Sequence, residues 1–592
     1  MFLALIFSLI TATAANLQVS DSAQFRLPLE IPANFSGNYG ELRSNHFHSG
    51  LDFRTGGAIG LKVIAPADGY ISRVSISPYG YGRALYITHY NGYTTVYGHL
   101  DGFSKELNSI ILSKQYEMEE SNLDFTMDES VMPVKAGDVV AYTGNTGSSG
   151  GPHLHYEIRN TLSETPLDAL ARGFVRTTDT RKPEIRRTAI IGCDSIGGVL
   201  QLSGFKYAGE VTKVPQRFIV AVDAVDRQEG TPAALAVKEY TYYIDSTKFF
   251  YLNIGEVPFE KGRYINSLIY YPHRAQGGAA MIQSLVEEGN MLRDRIVALN
   301  NGAVELQDTC THRLRIEVAD YAGNRSTRSY RIRAAAASGA TAASGATASS
   351  GAAATSGAAA TSGAAASSDA ATVENDSTLL YANWALATIW KGPGLEVIIP
   401  PAALYRSILF DAQRVQASGS NQFPKWRIGN KEVPLHIAVT INMDCSLPDS
   451  LITKSFVARV DRGKEYIGGK FKANAQDSAG ITNGVYTAKV RSFGTYTILT
   501  DTTPPNVKPS LKKGLAVQNG SLRFTIWDNL SGIGRYTVKI DGEWIPAFFD
   551  AKIRRLTVKL SDGNIGKGRH KIEVEVCDNC GNVGRYSGTF VK

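Results

Sequence analysis

The sequence predicts a mainly β protein of several domains, and three observations carry that prediction. Short runs of alternating apolar and polar residues, bounded by Gly, Asn and Asp turns, recur along most of the chain. Two of these stretches repeat one another across a tract of Ala, Ser, Gly and Thr. At 592 residues the chain is several times longer than a typical domain of roughly 150 residues. Its 43% hydrophobic content supplies several cores, and five cysteines exclude a disulfide scaffold. The net charge of +7 is compatible with an acidic polymer as partner and too dilute to indicate nucleic acid.

The elements follow in chain order. Residues 2–10 (FLALIFSLI) form an apolar run shorter than the about 20 residues that a membrane span needs. Ala12-Thr13-Ala14 offers the small residues of a cleavage site, so residues 1–14 read as a signal peptide; a buried N-terminal strand is the competing reading. No later stretch reaches transmembrane length, and the chain reads as periplasmic, secreted or otherwise of the cell envelope. Residues 25–175 form a β-rich domain in which Asn91-Gly92 joins the alternating runs Ala84–Tyr90 and Tyr93–His99 as a hairpin. Residues 103–122 read as a helix interrupting the strands. Residues 182–333 form an Ig-like β-sandwich with a helical insert around MIQSLVEEGNMLRDRIVAL. Residues 334–372 form an Ala/Ser/Gly/Thr-rich linker, because recurrent Ser-Gly pairs interrupt alanine helices and the tract buries little; a glycosylated stalk is the alternative.

Residues 373–501 form a further β-rich domain without a repeat landmark, and 503–592 a second Ig-like sandwich. The repeat has three landmarks in the same order. Arg217-Phe218 matches Arg523-Phe524, Tyr240-Thr-Tyr-Tyr-Ile-Asp245 matches Tyr536-Thr-Val-Lys-Ile-Asp541, and Asp320-Tyr-Ala-Gly323-Asn324 matches Asp578-Asn-Cys-Gly581-Asn582. Cys577-x-x-Cys580 lacks the second pair of a zinc ribbon and reads as a local disulfide or two ordinary thiols.

Six of the ten histidines precede residue 156, and three segments hold most of the reactive residues: His46-Phe-His48-Ser-Gly50-Leu-Asp52, Tyr97-Gly98-His99, and His153-Leu-His155-Tyr156-Glu157. Residues two or four apart share a strand face, so His48 can join Asp52, and His153 can join His155. Imidazole and carboxylate suit zinc, and three protein ligands plus water make a catalytic site. By spacing alone His46 rivals His48 as a ligand, His89 is a packing or surface residue, and Tyr97 belongs to a groove or a core. Glu157 continues the alternation, either orienting an imidazole or forming an ordinary ion pair. The Gly144–Gly151 segment permits tight turns, with no Gly-Lys-Ser/Thr ending to cradle phosphate.

These segments resemble the M23 family, the lysostaphin-like or LytM-type zinc metallopeptidases. The resemblance rests on His48-Ser-Gly-Leu-Asp52, Tyr97-Gly-His99 and His153-Leu-His155, supported by Ala65-Pro-Ala-Asp-Gly69, Val134-Lys-Ala-Gly-Asp138 and Thr143-Gly-Asn-Thr-Gly147. It spans roughly residues 35–162. It implies an N-terminal LytM-type antiparallel β-sheet domain and one zinc ion per chain held by His48, Asp52 and His155, with His99 and His153 catalytic beside it. Which of the two moves the water proton and which supports the oxyanion stays open. The resemblance further implies an endopeptidase that hydrolyses cross-links or stem peptides of peptidoglycan through a zinc-activated water. A catalytically silent wall-binding protein, or an activator of another hydrolase, is the alternative. The sandwiches could meet a protein partner in the cell envelope. The family usually has a short loop between His99 and Val134, where this chain has about 34 residues, expected to edge the substrate groove. The segment 16–40 is a candidate for autoinhibition through an Asn or His at the fourth metal position.

Overall fold

Alternation becomes strand wherever one face can be buried, and the N-terminal region shows how this builds a platform. A computed structural model describes residues 25–196, 198–335, 371–374, 379–415, 423–476, 480–511 and 514–592. The expected signal peptide and nearly all of the expected linker lie outside the described residues. Among the described residues no helix is long and apolar enough to cross a membrane.

In the N-terminal region, β1 (Phe35–Gly37), β2 (Leu51–Arg54), β3 (Gly69–Ile76), β4 (Arg83–His89), β5 (Tyr93–Gly98), β6 (Leu123–Thr126) and β7 (His153–Asn160) form one antiparallel sheet. Their order is β1-β2-β7-β5-β4-β3-β6. Asn91-Gly92 closes the β4–β5 hairpin as the sequence predicts, with Leu85 opposite Tyr97 and Thr88 opposite Thr94. Leu154, Tyr156 and Ile158 of β7 enter the core with Phe35, Phe53, Leu85 and Tyr97. The alternate residues His153, His155, Glu157 and Arg159 are thereby directed to the other face.

The 103–122 stretch forms helix α1 (Lys105–Met118), capped by Ser104, whose Oγ accepts from the Leu107 amide at 3.3 Å. Leu107, Ile111 and Gln115 make its buried stripe at helical spacing. Beyond it the chain meets the C-terminal region: Tyr116 Oη donates to the Asp562 carbonyl (3.0 Å), Tyr536 Oη to Asn122 (3.2 Å), and the Ala547 amide to Ser121 Oγ (3.0 Å). The Arg83 guanidinium stacks 4.1 Å from the Phe548 ring centroid.

Residues 184–334 form a five-stranded and a six-stranded sheet, with a main core that includes Phe218, Tyr242, Phe250 and Ile316 and a smaller one that includes Ile191, Ile219 and Met281. Residues 506–591 form two four-stranded antiparallel sheets around Phe524, Val538, Leu556 and Val574. The repeat landmarks hold corresponding places. Glu239–Ile244 pairs with His312–Ala319, and Ile533–Ile540 pairs with Arg569–Asp578, each partner continuing into a hairpin. Asp245 accepts from the Arg313 amide and bonds His312, as Asp541 accepts from the Lys571 amide and bonds His570.

The helical insert expected around residues 281–299 does not form. Ile282–Gln283 is a strand, Arg293–Arg295 a 3-10 turn and Ile296–Ala298 a strand. The segment Met281, Ile282, Leu285, Val286 and Leu292 is buried against two different cores, and Gly289 breaks it where a Cβ would stand 2.9 Å from Trp384. Apolar spacing that resembled one helical stripe serves two separate contacts. Short helices occur earlier instead, at Ile265–Leu268 and Tyr271–Ala275. All five cysteines are free thiols.

His89 is a packing residue, buried with Nε2 bonded to Thr95 Oγ1 at 2.8 Å. Burial pushes its imidazole down from 6.5 to about 4. A depressed folded value means that the unfolded chain takes up the proton first. The stabilisation is therefore full above pH 6.5 and is lost as pH falls toward about 4. Up to about 3 kcal/mol of acid-dependent stability is expected from this group. Urea unfolding at neutral pH and near pH 4 should show a smaller acid loss in His89→Gln; equal losses would contradict it.

Candidate metal centre

The site is built where β2 and β7 lie side by side. Asp52 and His155 are directly opposed across this pair, which places both side chains on one face. His48 enters from the turn before β2, made possible by Gly50, where a Cβ would stand 2.3 Å from the Tyr156 carbonyl oxygen. Across the other edge of β7, Gly98 faces His155, and a Cβ there would stand 3.3 Å from the His155 Cβ.

Three donors converge. His48 Nε2 and His155 Nδ1 lie 3.0 and 2.9 Å from Asp52 Oδ1, and 3.0 Å from each other. The outward nitrogens are committed elsewhere: His48 Nδ1 bonds the Asn38 carbonyl at 2.8 Å, and His155 Nε2 bonds Glu157 Oε1 at 2.7 Å. Those partners accept hydrogen bonds, so the outward nitrogens carry the protons and the inward ones present lone pairs. Two imidazole lone pairs and a carboxylate oxygen facing one point repel unless a cation lies among them. The donor set fits a borderline metal such as zinc. Asp52 Oδ2 accepts from Arg43 at 2.6 Å, leaving Oδ1 to face the centre.

His153 and His99 stand beside this cluster. His153 Nδ1 bonds the Gly151 carbonyl at 2.8 Å, while its buried Nε2 has no hydrogen-bond partner and lies 3.5 Å from Asp52 Oδ1. His99 follows β5 in the left-handed conformation, φ 61°, and bonds the Thr146 carbonyl through Nδ1 at 2.8 Å. That turn brings its ring centroid to 4.8 Å from the ring of His153. Both rings are thus anchored through Nδ1 with Nε2 free to exchange a proton.

The electrostatics are those of a dense buried cluster. Although burial opposes it, His48, His153 and His155 hold the Asp52 carboxyl well below the usual carboxylate range. Burial disfavours the charged form of His155, but hydrogen bonds to Asp52 and Glu157 outweigh it and raise the imidazole to about 9, so a metal binding at Nδ1 displaces a proton from it. Burial, and then the neighbouring His155 and His153, push His99 down to about 3.

The structure places the remaining expected residues differently. Glu157 does reach the site. Its Oε1 accepts from His155, Ser49 (2.6 Å) and Tyr81 (2.5 Å), while Oε2 accepts from Arg159 at 2.7 Å. Tyr97 does not reach it: its ring lies in the core against Tyr156, because residue 97 points away from the face of His155, and its hydroxyl bonds Thr95. His46 is exposed, bonded to the Ser44 carbonyl, and lines the mouth of the cavity without joining the donors. Within the described part of segment 16–40, the Asn38 side chain bonds the Ala236 backbone, not the centre.

Tyr81, Ser49, Arg43 and Arg159 had no signal of their own in the sequence; only the period-two run from His153 to Arg159 hinted at Arg159. Replacing Glu157 by Gln removes the charge that orients His155, and metal affinity is expected to fall about 10–100-fold. Competition with a chromogenic chelator measures this, and an unchanged affinity would show that Glu157 does not orient the ligand.

The centre opens into a cavity of about 540 Å³ lined by Tyr39, Arg43, Tyr81 and His99 together with Val257, Pro258 and Phe259. A neighbouring cleft of about 520 Å³ lies between α1 and the C-terminal sheets, and Asn145, Thr146 and Pro152 line its side toward the centre.

Comparisons with known proteins match two parts of the chain. A model of peptidase family M23 matches residues 46–116, and a model of a Zu5-like domain matches residues 380–501. An uncharacterized metalloprotease of Haemophilus influenzae is 34% identical over 149 residues, 24% of this chain and 26% of that protein. The DD-carboxypeptidase/endopeptidase Mpg of Neisseria meningitidis serogroup B is 36% identical over 118 residues, 20% of this chain and 21% of that protein. Among solved structures, a zinc-containing peptidase from Vibrio cholerae is 26% identical over 26% of this chain and 40% of that one, with a TM-score of 0.19. The match spans about a quarter of the length of the two curated relatives.

Proposed function

We propose that the N-terminal region is a metallopeptidase domain of family M23, and that the protein is a zinc-dependent endopeptidase acting on the peptides of bacterial peptidoglycan. The observation that supports this reading best is the convergence of His48 Nε2, Asp52 Oδ1 and His155 Nδ1 within 3.0 Å, each imidazole fixed by an outward acceptor.

One zinc ion per chain, held by these three groups, would supply Lewis acidity and lower the pKa of a bound water to about 7. The protein's own groups do the rest. Asn38 and Glu157 fix the tautomers of His48 and His155, and Arg43 offsets the second oxygen of Asp52. His153 and His99 take up and return the proton, since a free Nε2 beside the centre can accept from water and later donate to the leaving amine. The protonated partner can also donate to the oxyanion. Val257, Pro258 and Phe259 line the same cavity and offer apolar surface to a bound peptide.

Such a substrate places the protein in the cell envelope, and the C-terminal β units would hold the peptidase there, through wall polymer or a protein partner. The relative Mpg is named a DD-carboxypeptidase/endopeptidase, which makes bonds between D-residues the first candidates for this chain. Digestion of purified peptidoglycan by the full chain, followed by mass spectrometry of the fragments, tests the reading. Cross-linked peptide dimers should give way to monomers, and a metal chelator should stop the conversion. An unchanged fragment profile with zinc-loaded protein would refute it.

A further inference from the structure

The two repeated sandwiches share a feature that the peptidase chemistry does not use. Asp179-Thr-Arg-Lys-Pro183 precedes the first strand of one sandwich, and Asp501-Thr-Thr-Pro504-Pro505 precedes the first strand of the other. Asp226 stands four residues before Gly230, and Asp528 four before Gly532. Asp320 and Asp578 each open a hairpin turn ending in Gly-Asn. In each copy the three carboxylates come together, with one oxygen from each lying within 4.8 Å of the others.

The surroundings match as well. Asn324 donates its amide to Asp320 Oδ1 (2.9 Å) and its side chain to the Asp179 carbonyl (3.2 Å). Asn582 donates its amide to Asp578 Oδ1 (2.8 Å) and its side chain to the Asp501 carbonyl (2.9 Å). In both copies the turn is thereby tied to the segment by which the chain enters the sandwich.

Acidic clustering alone would carry nothing, but in each cluster some buried carboxylate oxygens lack any hydrogen-bond partner. Asp226 is fully buried (0% exposed), and neither of its oxygens has a hydrogen-bond partner. Asp179 Oδ2 and Asp528 Oδ1 are buried atoms in the same state. Among the described residues none of the six aspartates forms an ion pair with Lys, Arg or His. Burial pushes Asp226 up to about 7 and Asp179 up to about 6. Three like charges this close, partly desolvated, call for a counter-cation.

We propose that each cluster binds one calcium ion, through Asp179, Asp226 and Asp320 in the first sandwich and Asp501, Asp528 and Asp578 in the last. The donors are all oxygen, which selects a hard cation over zinc or another soft metal. Carboxylates from three separate segments, in irregular turn geometry, suit calcium better than the strict octahedron of magnesium. Each ion would clamp the entry segment to a turn between strands of the sandwich. It would therefore hold the sandwich at a set angle to the region before it. This reading does not depend on the peptidase assignment.

Calorimetric titration of the full-length protein with calcium, after dialysis against EGTA and return to chelator-free buffer, tests it. Two calcium ions per chain are expected, with dissociation constants of about 10⁻³ M or tighter. Asp226→Asn and Asp528→Asn should each remove one ion, and the double variant both. Calcium should raise the melting midpoint of the wild type and leave that of the double variant unmoved. The unaltered chain provides a test that survives a folding defect in any variant: failure to take up calcium at millimolar concentration would overturn the proposal. Retention of two ions by the double variant would overturn it equally.

Discussion

His48→Ala is expected to leave the purified chain with well under one zinc ion and without measurable hydrolysis of peptidoglycan. The geometry makes this the most damaging small change at the site. Among the described residues His48, Asp52 and His155 supply the converging donor atoms, and His48 contributes one of the two nitrogens. Its loss leaves Asp52 and His155, already in contact at 2.9 Å, free to close on each other as an ordinary buried ion pair. The rate loss should exceed the roughly 10²–10⁴-fold attributable to a single proton-transfer residue. His46→Ala is the internal control. It lies two residues away and has the same side chain, but it is exposed and bonded to the Ser44 carbonyl, so zinc and turnover should remain. Elemental analysis and turnover of both variants decide the matter. Stoichiometric zinc in His48→Ala would show that the ligand is another residue.

The contrast between His46 and His48 shows what the sequence can reveal and what it cannot. Both histidines fit a two-residue alternation, and spacing alone does not choose between them. The four-residue interval to Asp52 singled out His48 only through resemblance to a family pattern. The structure supplies the physical reason, which is the close approach at Gly50 that carries the chain into β2. His153, His155 and Glu157 were legible because strand periodicity is local. Tyr81 and Ser49 were not, since nothing in a lone tyrosine or serine announces a hydrogen bond to a carboxylate 76 or 108 residues away.

The segment at 281–299 departs from its sequence pattern for the same reason. Its apolar residues have helical spacing, yet they serve two cores and a break at Gly289, and tertiary burial overrides a local period. Helix α1 forms where the sequence predicts one, but its contact with residues 536–562 lies more than 400 positions away and no pattern signals it. The repeat was visible through its landmarks, while the convergence of its aspartates needed the fold.

His99 and His153 offer the second large effect, because their variants should separate chemistry from metal binding. Neither belongs to the three converging donors, and both are anchored through Nδ1 to backbone carbonyls, at Thr146 and Gly151. His99→Ala and His153→Ala are therefore expected to keep full zinc content while losing about 10²–10⁴-fold in kcat/KM. Groups that share one proton pathway act as a unit, so the double variant should lose far less than the product of the two single losses.

The two positions differ in one respect that makes the comparison informative. His153 Nε2 already faces Asp52 Oδ1 at 3.5 Å, within reach of the metal ligands, whereas His99 stands behind it with ring centroids 4.8 Å apart. If His153 is the group that accepts the water proton, its variant should lose more of the acid limb of the pH–rate profile. The His99 variant should then keep the shape of that profile at reduced height. A His153→Ala enzyme of unchanged turnover would remove it from the chemistry, and the buried, partnerless Nε2 would then need another explanation.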